Sequence, residues 1–412
     1  MDKVLRRIAV FATAVAVVSC SGKLDDEVNI PEIRPVNLSV LQTEVLQAGQ
    51  GFGFDLFHGV ASAAGNKSVF ISPASLQVAL MMAANGAHGE TYREIVETVG
   101  YAGYSVDDIN SMYSRLIQGL TEVDTSTQFE IANSAWVNGT FPIYKDYIST
   151  LSGVFRAGCR SVDFRSNRAL EQINGWCSDN THGMIRKLYD SLDDDWQFIL
   201  MNTLYFKGIW ASKFNASNTS SQTFNVIDGG STAVSMMHQT SEFQYSENLE
   251  AQFCALPFGN TAFELDIVLP HADVDFAEYL SQFNADKLNS LMDMSGKSKV
   301  RLSVPKVELD CFTQFNDVLQ KMGIITAFSK YAQFSAISGE PLKISDVRQK
   351  AVFTMDESGA EAAAVTGIAF EKITSAGPEK EYVFTADHPF ILVIRERTSG
   401  AILFMGSYTG CL

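Results

Sequence analysis

Apolar residues in the first part of the chain recur at the spacing of helices that bury one face. In residues 39–62 they recur mostly at four-residue steps, which predicts a helix with Leu41, Val45, Phe52, Leu56 and Val60 on its buried side. Proline favours the first helical turn, so a second helix is predicted from Pro73 to Gly86 over the run PASLQVALMMAANG. Similar patterns predict further helices at 90–99, 106–122, 168–181, 275–293 and 312–323.

Strand patterns dominate the rest of the chain. The stretch TQFEIANSAWV (127–137) alternates through Phe129 and Ile131, and WQFILMNTLYF (196–206) is a continuous apolar run typical of a central strand. Further strand patterns cover FELDIVLP (263–270), VRLSVPKVEL (300–309), YVFTADHPFILVIRE (382–396) and AILFMGSY (401–408). Several helices come first and most strands later, which predicts an α+β fold with large sheets.

Domain organisation follows from what interrupts these patterns. The chain has 412 residues, 46% of them hydrophobic, which is enough to bury a large core. No repeat occurs, and no linker rich in glycine, serine or proline divides the chain after about Asn37. We therefore expect a single domain over residues 39–412.

The charge excludes one class of partner. The formal net charge is −16 and no basic stripe interrupts the acidity, so a nucleic acid backbone would be repelled.

The first nineteen residues have the pattern of a signal peptide. A basic head is followed by an apolar run from Ile8 to Val18, which is too short to span a bilayer. The residues before Cys20 resemble the lipobox of bacterial lipoproteins, in which the cysteine is lipidated; the alternative is a plain secretory peptide with a chance cysteine. We expect residues 20–38 to be an acidic tether and the protein to be a lipoprotein of the outer membrane or cell surface. Residues Lys23 to Glu27 are similar to the acidic export signal of some Bacteroidota lipoproteins.

The remaining cysteines and the histidines indicate neither a metal site nor an enzyme. Beyond Cys20, five cysteines are scattered without a C-x-x-C pair, which argues against a zinc site and a disulfide framework. The six histidines lack ligand spacing, and no nucleophile elbow, phosphate-binding loop or dinucleotide motif occurs. His388 could act as a base only beside a nucleophile, and none can be identified. We expect no cofactor, no metal and no catalytic residue.

Residues 356–367, DESGAEAAAVTG, place a run of small side chains between a predicted strand ending at Met355 and a segment rich in turn residues. This run resembles the hinge of serpins, usually written E-x-G-small-E-A-A-A-x-T. Five other stretches resemble serpins in the same order, namely NKSVFISPASLQVALMMAANGAHGET (66–91), INGWCSDNTHGMI (173–185), NTLYFKGIWASKF (202–214), VRLSVPKVEL (300–309) and DHPFILVI with AILFMGSY (387–408). The resemblance implies three β-sheets, about eight to nine helices and an exposed reactive-centre loop. It also implies a protease as partner, and we expect a monomer.

The resemblance assigns the hinge to Glu357, Gly359, Ala360, Glu361, Ala362, Ala363, Ala364 and Thr366. If this segment becomes a strand, alternate side chains face inward, and the inward set Ala360, Ala362, Ala364 and Thr366 is uniformly small. Gly359 would let the chain turn out of the preceding strand. The alternative is a short alanine-rich helix.

An inhibitory serpin is cleaved in this loop by its target protease, and the hinge then inserts into a sheet and traps the acyl-enzyme. The resemblance places the scissile bond between Ile373 and Thr374, which suits an elastase- or subtilisin-like protease or a cysteine protease. A bond between Lys372 and Ile373 remains an alternative and would suit a trypsin-like protease. Phe370 could serve a chymotrypsin-like one.

The resemblance also implies two supporting groups. The "shutter" beneath the opening sheet comprises Ser72, Pro73, Ser75, Asn202 and Gln349, with Gln349 standing where many serpins carry histidine. Trp210 matches the "breach", where the loop first enters. Ordinary core packing is the alternative for all six residues. Two other functions also stay open, a non-inhibitory serpin used as a surface binding module and a binding lipoprotein for glycan or peptide.

Overall fold

The structure is a computed structural model and describes residues 32–139, 142–359 and 380–411. The side chains of Ile131, Asn202 and Leu204 are not included in that description. Cys20, the hinge residues from Ala360 to Thr366, and Phe370, Lys372, Ile373 and Thr374 all lie outside the described residues.

The described residues contain ten α-helical segments: α1 (Val40–Ala48), α2 (Gln50–Ala64), α3 (Pro73–Gly86), α4 (Gly89–Thr98), α5 (Val106–Glu122), α6 (Lys145–Phe155), α7 (Asn167–Asp179), α8 (Phe276–Ser281), α9 (Ala285–Met294) and α10 (Asn316–Met322). Segments α1 and α2 abut at Gly49, where a side chain would come within 2.6 Å of the Tyr101 hydroxyl. The helix predicted over 39–62 is therefore interrupted. With α1 and α2 taken as one helix, the ten segments become nine.

The other helix predictions differ in their accuracy. The helices predicted at 73–86 and 106–122 are confirmed as α3 and α5, and those at 90–99 and 168–181 shift by one or two residues. The single helix predicted over 275–293 is wrong, because the side chains of Asp275 and Asn284 each cap a separate helix. The helix predicted over 312–323 is also wrong at its start, since Phe312 still pairs with Lys350 in a strand. Helix α6 was not predicted.

Fourteen strands are described: β1 (Val69–Ile71), β2 (Gln128–Asn138), β3 (Gly158–Val162), β4 (Phe198–Lys207), β5 (Ser220–Asn225), β6 (Ser231–Glu247), β7 (Ala251–Pro257), β8 (Phe263–Pro270), β9 (Gly296–Pro305), β10 (Val307–Gln314), β11 (Ile344–Met355), β12 (Glu381–Thr385), β13 (Phe390–Glu396) and β14 (Ile402–Tyr408). Two predicted runs each divide into two strands. Residues 300–309 pass from β9 to β10 at Lys306, directly after Pro305, and 382–396 divides around His388 and Pro389.

Hydrogen bonding groups these strands into a nine-stranded sheet and a five-stranded one. The nine-stranded sheet has the order β1-β14-β13-β8-β7-β6-β9-β12, with β5 also paired to β6. Strand β6 joins its two parts, since residues 231–236 pair with β5, 236–245 with β9 and 244–247 with β7. The predicted three sheets are thus present, with two of them continuous along β6.

The five-stranded sheet has the order β10-β11-β4-β2-β3. Helix α3 packs between the two sheets, against β2 and β4 on one side and β14 on the other. A second, smaller apolar cluster lies beneath α7 on the opposite face of the five-stranded sheet, around Trp136, Ile173 and Met201. This sheet is therefore covered on both faces.

The start of the described chain is packed. Val36 is buried and its backbone N–H donates to the Thr398 hydroxyl at 3.0 Å, so the segment assigned to the tether contributes to the core at its end. In the described ranges no helix is long and apolar enough to cross a membrane. The five cysteines of those ranges are free, two of them fully buried.

Candidate functional site

The site lies in a gap between two neighbouring strands of the five-stranded sheet. Strands β4 and β11 run parallel, and in the described residues their pairing is limited to Phe198 with Ile344, Ile199 with Asp346 and Leu200 with Val347. Beyond that point β4 continues to Lys207 and β11 to Met355. Along the gap each strand is paired on its outer side, β4 with β2 and residues 348–355 of β11 with β10. The gap is thus flanked by 201–207 and 348–355, and a strand could enter between them.

Gln349 holds β11 from below near the closed end of the gap, two residues after the last paired position, Val347. Its side-chain oxygen accepts the Ser72 backbone N–H at 2.8 Å, and its amide nitrogen donates to the Ser72 carbonyl at 3.2 Å. Both residues are buried. A primary amide satisfies the two backbone groups of one residue simultaneously, which suits Gln349 to this position.

Ser72 connects this contact to helix α3 and to the nine-stranded sheet. It is the N-cap of α3, with its hydroxyl accepting the Ser75 N–H at 3.2 Å and donating to the Leu403 carbonyl at 2.6 Å. Pro73 occupies the first helical position, where its missing N–H costs nothing. The structure therefore brings Ser72, Pro73, Ser75 and Gln349 together in one connected set of contacts.

Strand β4 contributes two further positions. Asn202 pairs with Asn133 across β2 and β4, but its side chain is outside the described part. The neighbouring Thr203 was not predicted: its hydroxyl is buried and has no hydrogen-bond partner among the described residues. An unsatisfied buried hydroxyl destabilises the native state by about 1–3 kcal/mol.

Trp210 closes the upper end of the gap. Its indole N–H donates to the Asp356 carbonyl at 2.8 Å, and its backbone N–H donates to the Ser358 carbonyl at 3.0 Å. The indole stacks on Phe258, with ring centroids 4.4 Å apart. Trp210 therefore joins the segment after β4 to the segment after β11.

The turn after β11 is fixed by Asp356 and Gly359. The Asp356 carboxylate accepts the N–H groups of Ser358 and Gly359, and the Asp356 N–H donates to the Gly359 carbonyl at 3.0 Å. Gly359 has φ +145°, and a β-carbon there would overlap the Gly208 carbonyl oxygen and lie 2.7 Å from Cα of Ile209. Gly359 is required for this close backbone approach as well as for the turn that the sequence predicted.

Glu357 is the best-anchored described residue of the hinge. Its carboxylate forms an ion pair with Lys306 at 2.6 Å and accepts the Thr219 hydroxyl at 2.7 Å, while its carbonyl accepts the Phe214 N–H. Burial raises the pKa of this carboxyl, but hydrogen bonds from Lys306, Thr219 and its own backbone N–H together hold the pKa below the ordinary glutamate value. We call Glu357, Lys306 and Thr219 the upper clasp.

The predicted residues therefore form two groups along the gap. Gln349 with Ser72, Pro73 and Ser75 lies near its closed end, whereas Glu357 and Gly359 with Trp210 lie beyond the end of β11 at Met355, roughly 20 Å further along at about 3.3 Å per strand residue. Sequence reasoning missed Lys306, Thr219 and Thr203, since nothing local marks them. Asp356 could have been found, because an aspartate two or three residues before glycine commonly caps a turn.

Comparison with known proteins agrees with this architecture. The family model for "Serpin (serine protease inhibitor)" matches residues 47–410. A serpin-like protein of Thermococcus kodakarensis is 32% identical over 366 residues, covering 88% of this chain and 84% of that protein. Intracellular coagulation inhibitor 2 of Tachypleus tridentatus is 32% identical over 83% of this chain and 85% of its own length.

Solved structures show the same fold. Thyroxine-binding globulin in complex with thyroxine superposes with a TM-score of 0.80 at 26% identity, covering 89% of this chain and 99% of that one. The thermophilic serpin tengpin in its native state has a TM-score of 0.80 at 24% identity, over 94% of this chain and 98% of that one.

These matches confirm the predicted fold class, α+β with three β-sheets. They also identify the family as one of protease inhibitors rather than enzymes. With the family model spanning nearly the whole described fold, this chain belongs to the serpin family.

Proposed function

We propose that this protein is an inhibitory serpin, which traps a target protease by insertion of its cleaved hinge between β4 and β11. The observation that carries the proposal is the gap itself. Two parallel strands are paired at one end only, and the first hinge residues, Glu357 and Gly359, are attached at the other end. A strand entering there would pair with backbone groups on both sides.

The sequence of steps follows ordinary acyl transfer. The protease nucleophile attacks the carbonyl carbon of Ile373, the bond to Thr374 breaks, and the amine of Thr374 leaves with the C-terminal fragment. Water would then hydrolyse the acyl-enzyme, unless the hinge inserts first and distorts the protease active site. Lys372 with Ile373 is the alternative bond. A serine protease is the proposed target class, with a cysteine protease as the alternative.

Insertion needs a native state that is kinetically stable but not the most stable state. Three observations support stored free energy here. The facing edges of β4 and β11 lack mutual backbone pairing over 201–207 and 348–355 in the described structure, and the Thr203 hydroxyl is buried without a partner. At the upper end, a side-chain contact of Trp210 with Asp356 stands in place of strand pairing between the two sides of the gap. Insertion would replace isolated side-chain contacts with a continuous ladder of backbone hydrogen bonds.

The hinge is the most direct test. Ala362 would face inward during early insertion, so Ala362→Arg should bury a charge without a partner, slow insertion and convert the inhibitor into a substrate. The matched control is Glu361→Arg, which introduces the same side chain on the outward face. The measurement is the amount of protease trapped in a complex resistant to SDS, per molecule of protein cleaved, against a panel of serine and cysteine proteases.

The expected result is a trapped fraction that falls at least about tenfold for Ala362→Arg, since burying an unpaired charge costs several kcal/mol, and changes little for Glu361→Arg. Equal trapping by the wild type and Ala362→Arg would contradict insertion. Mass spectrometry of the released fragment identifies the bond, because the fragment begins at Thr374 or, for the alternative, at Ile373. Cleavage of the wild type without any trapped complex would favour a non-inhibitory serpin that acts as a binding module.

A further inference from the structure

A cluster of aromatic and charged side chains lies at the closed end of the gap. It belongs to the face of the five-stranded sheet that α7 covers, beside the three paired positions of β4 and β11. We call it the base clamp, and it consists of Tyr189, Trp196, Phe312, Gln314, Asp346 and Arg348.

Asp346 is the centre of the base clamp. Its carboxylate is fully buried and forms two hydrogen bonds with the Arg348 guanidinium, the one to Nη2 measuring 2.9 Å. The Tyr189 hydroxyl donates to Oδ2 at 2.8 Å and the Gln314 amide donates to Oδ1 at 2.9 Å. A buried carboxylate with this many donors is a stable arrangement.

Arg348 adds a second kind of contact. Its guanidinium carbon lies 4.2 Å from the centroid of the Tyr189 ring and 5.4 Å from those of Trp196 and Phe312. The side chain is 15% exposed, so these cation–π contacts are formed in a largely dry environment, where they are strongest.

The base clamp joins the two sides of the gap. Tyr189 and Trp196 belong to the segment between α7 and β4. The Asn174 side chain on α7 binds the backbone of Tyr189, and the Asn138 side chain on β2 binds the Trp196 carbonyl at 2.6 Å. Asp346 and Arg348 lie on β11, and Phe312 and Gln314 lie on β10. Separation of β4 from β11 must therefore break the contacts of Tyr189 and Trp196 with Asp346 and Arg348.

The partition of these contacts determines how the clamp can release. Asp346, Arg348 and Gln314 all lie on the β10–β11 side, so the carboxylate keeps its ion pair when the strands part. Of the contacts in the base clamp, opening breaks one hydrogen bond, from the Tyr189 hydroxyl, and the stacking of Arg348 on Tyr189 and Trp196. An unpaired buried charge would make release prohibitively costly, and opening leaves none in the clamp.

From this arrangement we propose that the base clamp controls how readily the lower half of the sheet opens, and that Tyr189 and Arg348 are positioning residues for strand insertion. The proposal rests on the proposed inhibitory function. The contacts of Tyr189 with Asp346 and Arg348 would then be present before cleavage and absent afterwards, and they would contribute to the lifetime of the native state.

The test compares Tyr189→Phe with a control that removes a contact on one side only. Lys350 lies on β11 and pairs with Asp310 on β10 at 3.1 Å, so Lys350→Met removes an ion pair that does not span the gap. Arg348→Lys is the conservative second variant, since it keeps a charge beside Asp346 but lacks the planar group that stacks on the rings.

The first readout is hydrogen exchange of the backbone amides at 198–200 and 344–347 in the uncleaved protein. We expect exchange about tenfold faster in Tyr189→Phe, because a hydrogen bond to a charged group contributes enough for that change, an intermediate rise in Arg348→Lys and no change in Lys350→Met. Unchanged exchange at these amides in Tyr189→Phe would overturn the proposal.

The second readout separates a clamp from a merely structural contact. After cleavage of the loop, the strands would already be parted, so Tyr189→Phe should leave the denaturation midpoint of the cleaved protein equal to that of the cleaved wild type. Equal losses of stability in the uncleaved and cleaved forms would overturn the clamp while leaving the inhibitory function intact. If cleaved wild type gains no stability at all, the inhibitory function fails, and control of insertion by the clamp fails with it.

Discussion

The two sheets of this protein differ in how completely their neighbouring strands are paired. In the nine-stranded sheet, β8 pairs along its length with β7 on one side and over six positions with β13 on the other. In the five-stranded sheet, the facing edges of β4 and β11 pair at three positions. Backbone ladders are cooperative and require several bonds to break together, whereas a partly paired edge can separate further from its open end. The difference indicates a rigid platform beside a sheet that can open.

The side-chain contacts between strands also differ between the two sheets. In the nine-stranded sheet, Arg395 on β13 binds the buried carboxylates of Glu264 and Asp266 on β8, across strands that are already fully paired. In the five-stranded sheet, side-chain contacts span the gap at both ends, Tyr189 with Asp346 beside the three paired positions and Trp210 with Asp356 where strand pairing is absent. A single side-chain tie contributes on the order of 1–3 kcal/mol, so each can be released separately.

The largest effect is expected at Gly359. Gly359→Ala places a β-carbon against the backbone of Gly208 and Ile209, and the upper end of the gap must part to accommodate it, at a cost of about 3 kcal/mol. Hydrogen exchange should accelerate in β4 and β11 while β8 and β13 are unaffected. The control is Gly65→Ala, where φ is also positive but no atom lies within 4 Å. Equal effects of the two variants on β4 and β11 would mean that the close backbone approach is unimportant.

The contact of Gln349 with Ser72 should have an intermediate effect. Gln349→Met keeps the size of the side chain but leaves the buried Ser72 N–H without its acceptor, which costs about 2 kcal/mol. We expect the wild type to retain its trapping activity on warm incubation far longer than this variant. Gln77→Met is the control, since Gln77 binds the Gly49 carbonyl between two helices, away from the gap. Comparable loss in both variants would contradict a special role of Gln349.

The smallest effect is expected at the upper clasp, where Lys306 is 42% exposed and the ion pair contributes about 1 kcal/mol. Because the pKa of Glu357 is lower in the folded protein than in an unfolded chain, its stabilisation is present above the ordinary glutamate pKa and is lost as the pH falls through the folded value. The native lifetime should therefore shorten below about pH 4.

Glu357→Gln is the control for this pH dependence. The variant should start with a shorter lifetime at neutral pH and show a flatter profile towards acid. An identical acid profile in the wild type and the variant would assign the loss to carboxylates elsewhere in the protein.

The comparison also shows where pattern reasoning succeeds. Helices α3 and α5 were predicted with their bounds, because a proline or serine at the start and a clear apolar face are local signals. The group around Ser72 near the closed end of the gap and the upper group around Trp210 were found through the family resemblance, since their roles depend on contacts far apart in sequence. The break between α8 and α9 was missed although the sequence contains its capping residue, Asn284. By contrast, the apolar pattern of residues 300–309 gives no sign that the run divides between two sheets at Lys306.

The sequence by itself determined the apolar faces of the main helices, most of the long strands and the small side chains at 360–366, because each is a local property of spacing or size. It also carried enough ordered motifs to indicate the family. The tertiary structure alone decided that β4 and β11 part after three pairs, that Lys306 reaches Glu357, and that Tyr189 and Arg348 meet at the base of the gap. The physical reason is that strand neighbours and contacts between strands are chosen by packing between segments far apart in the chain, for which periodicity carries no signal.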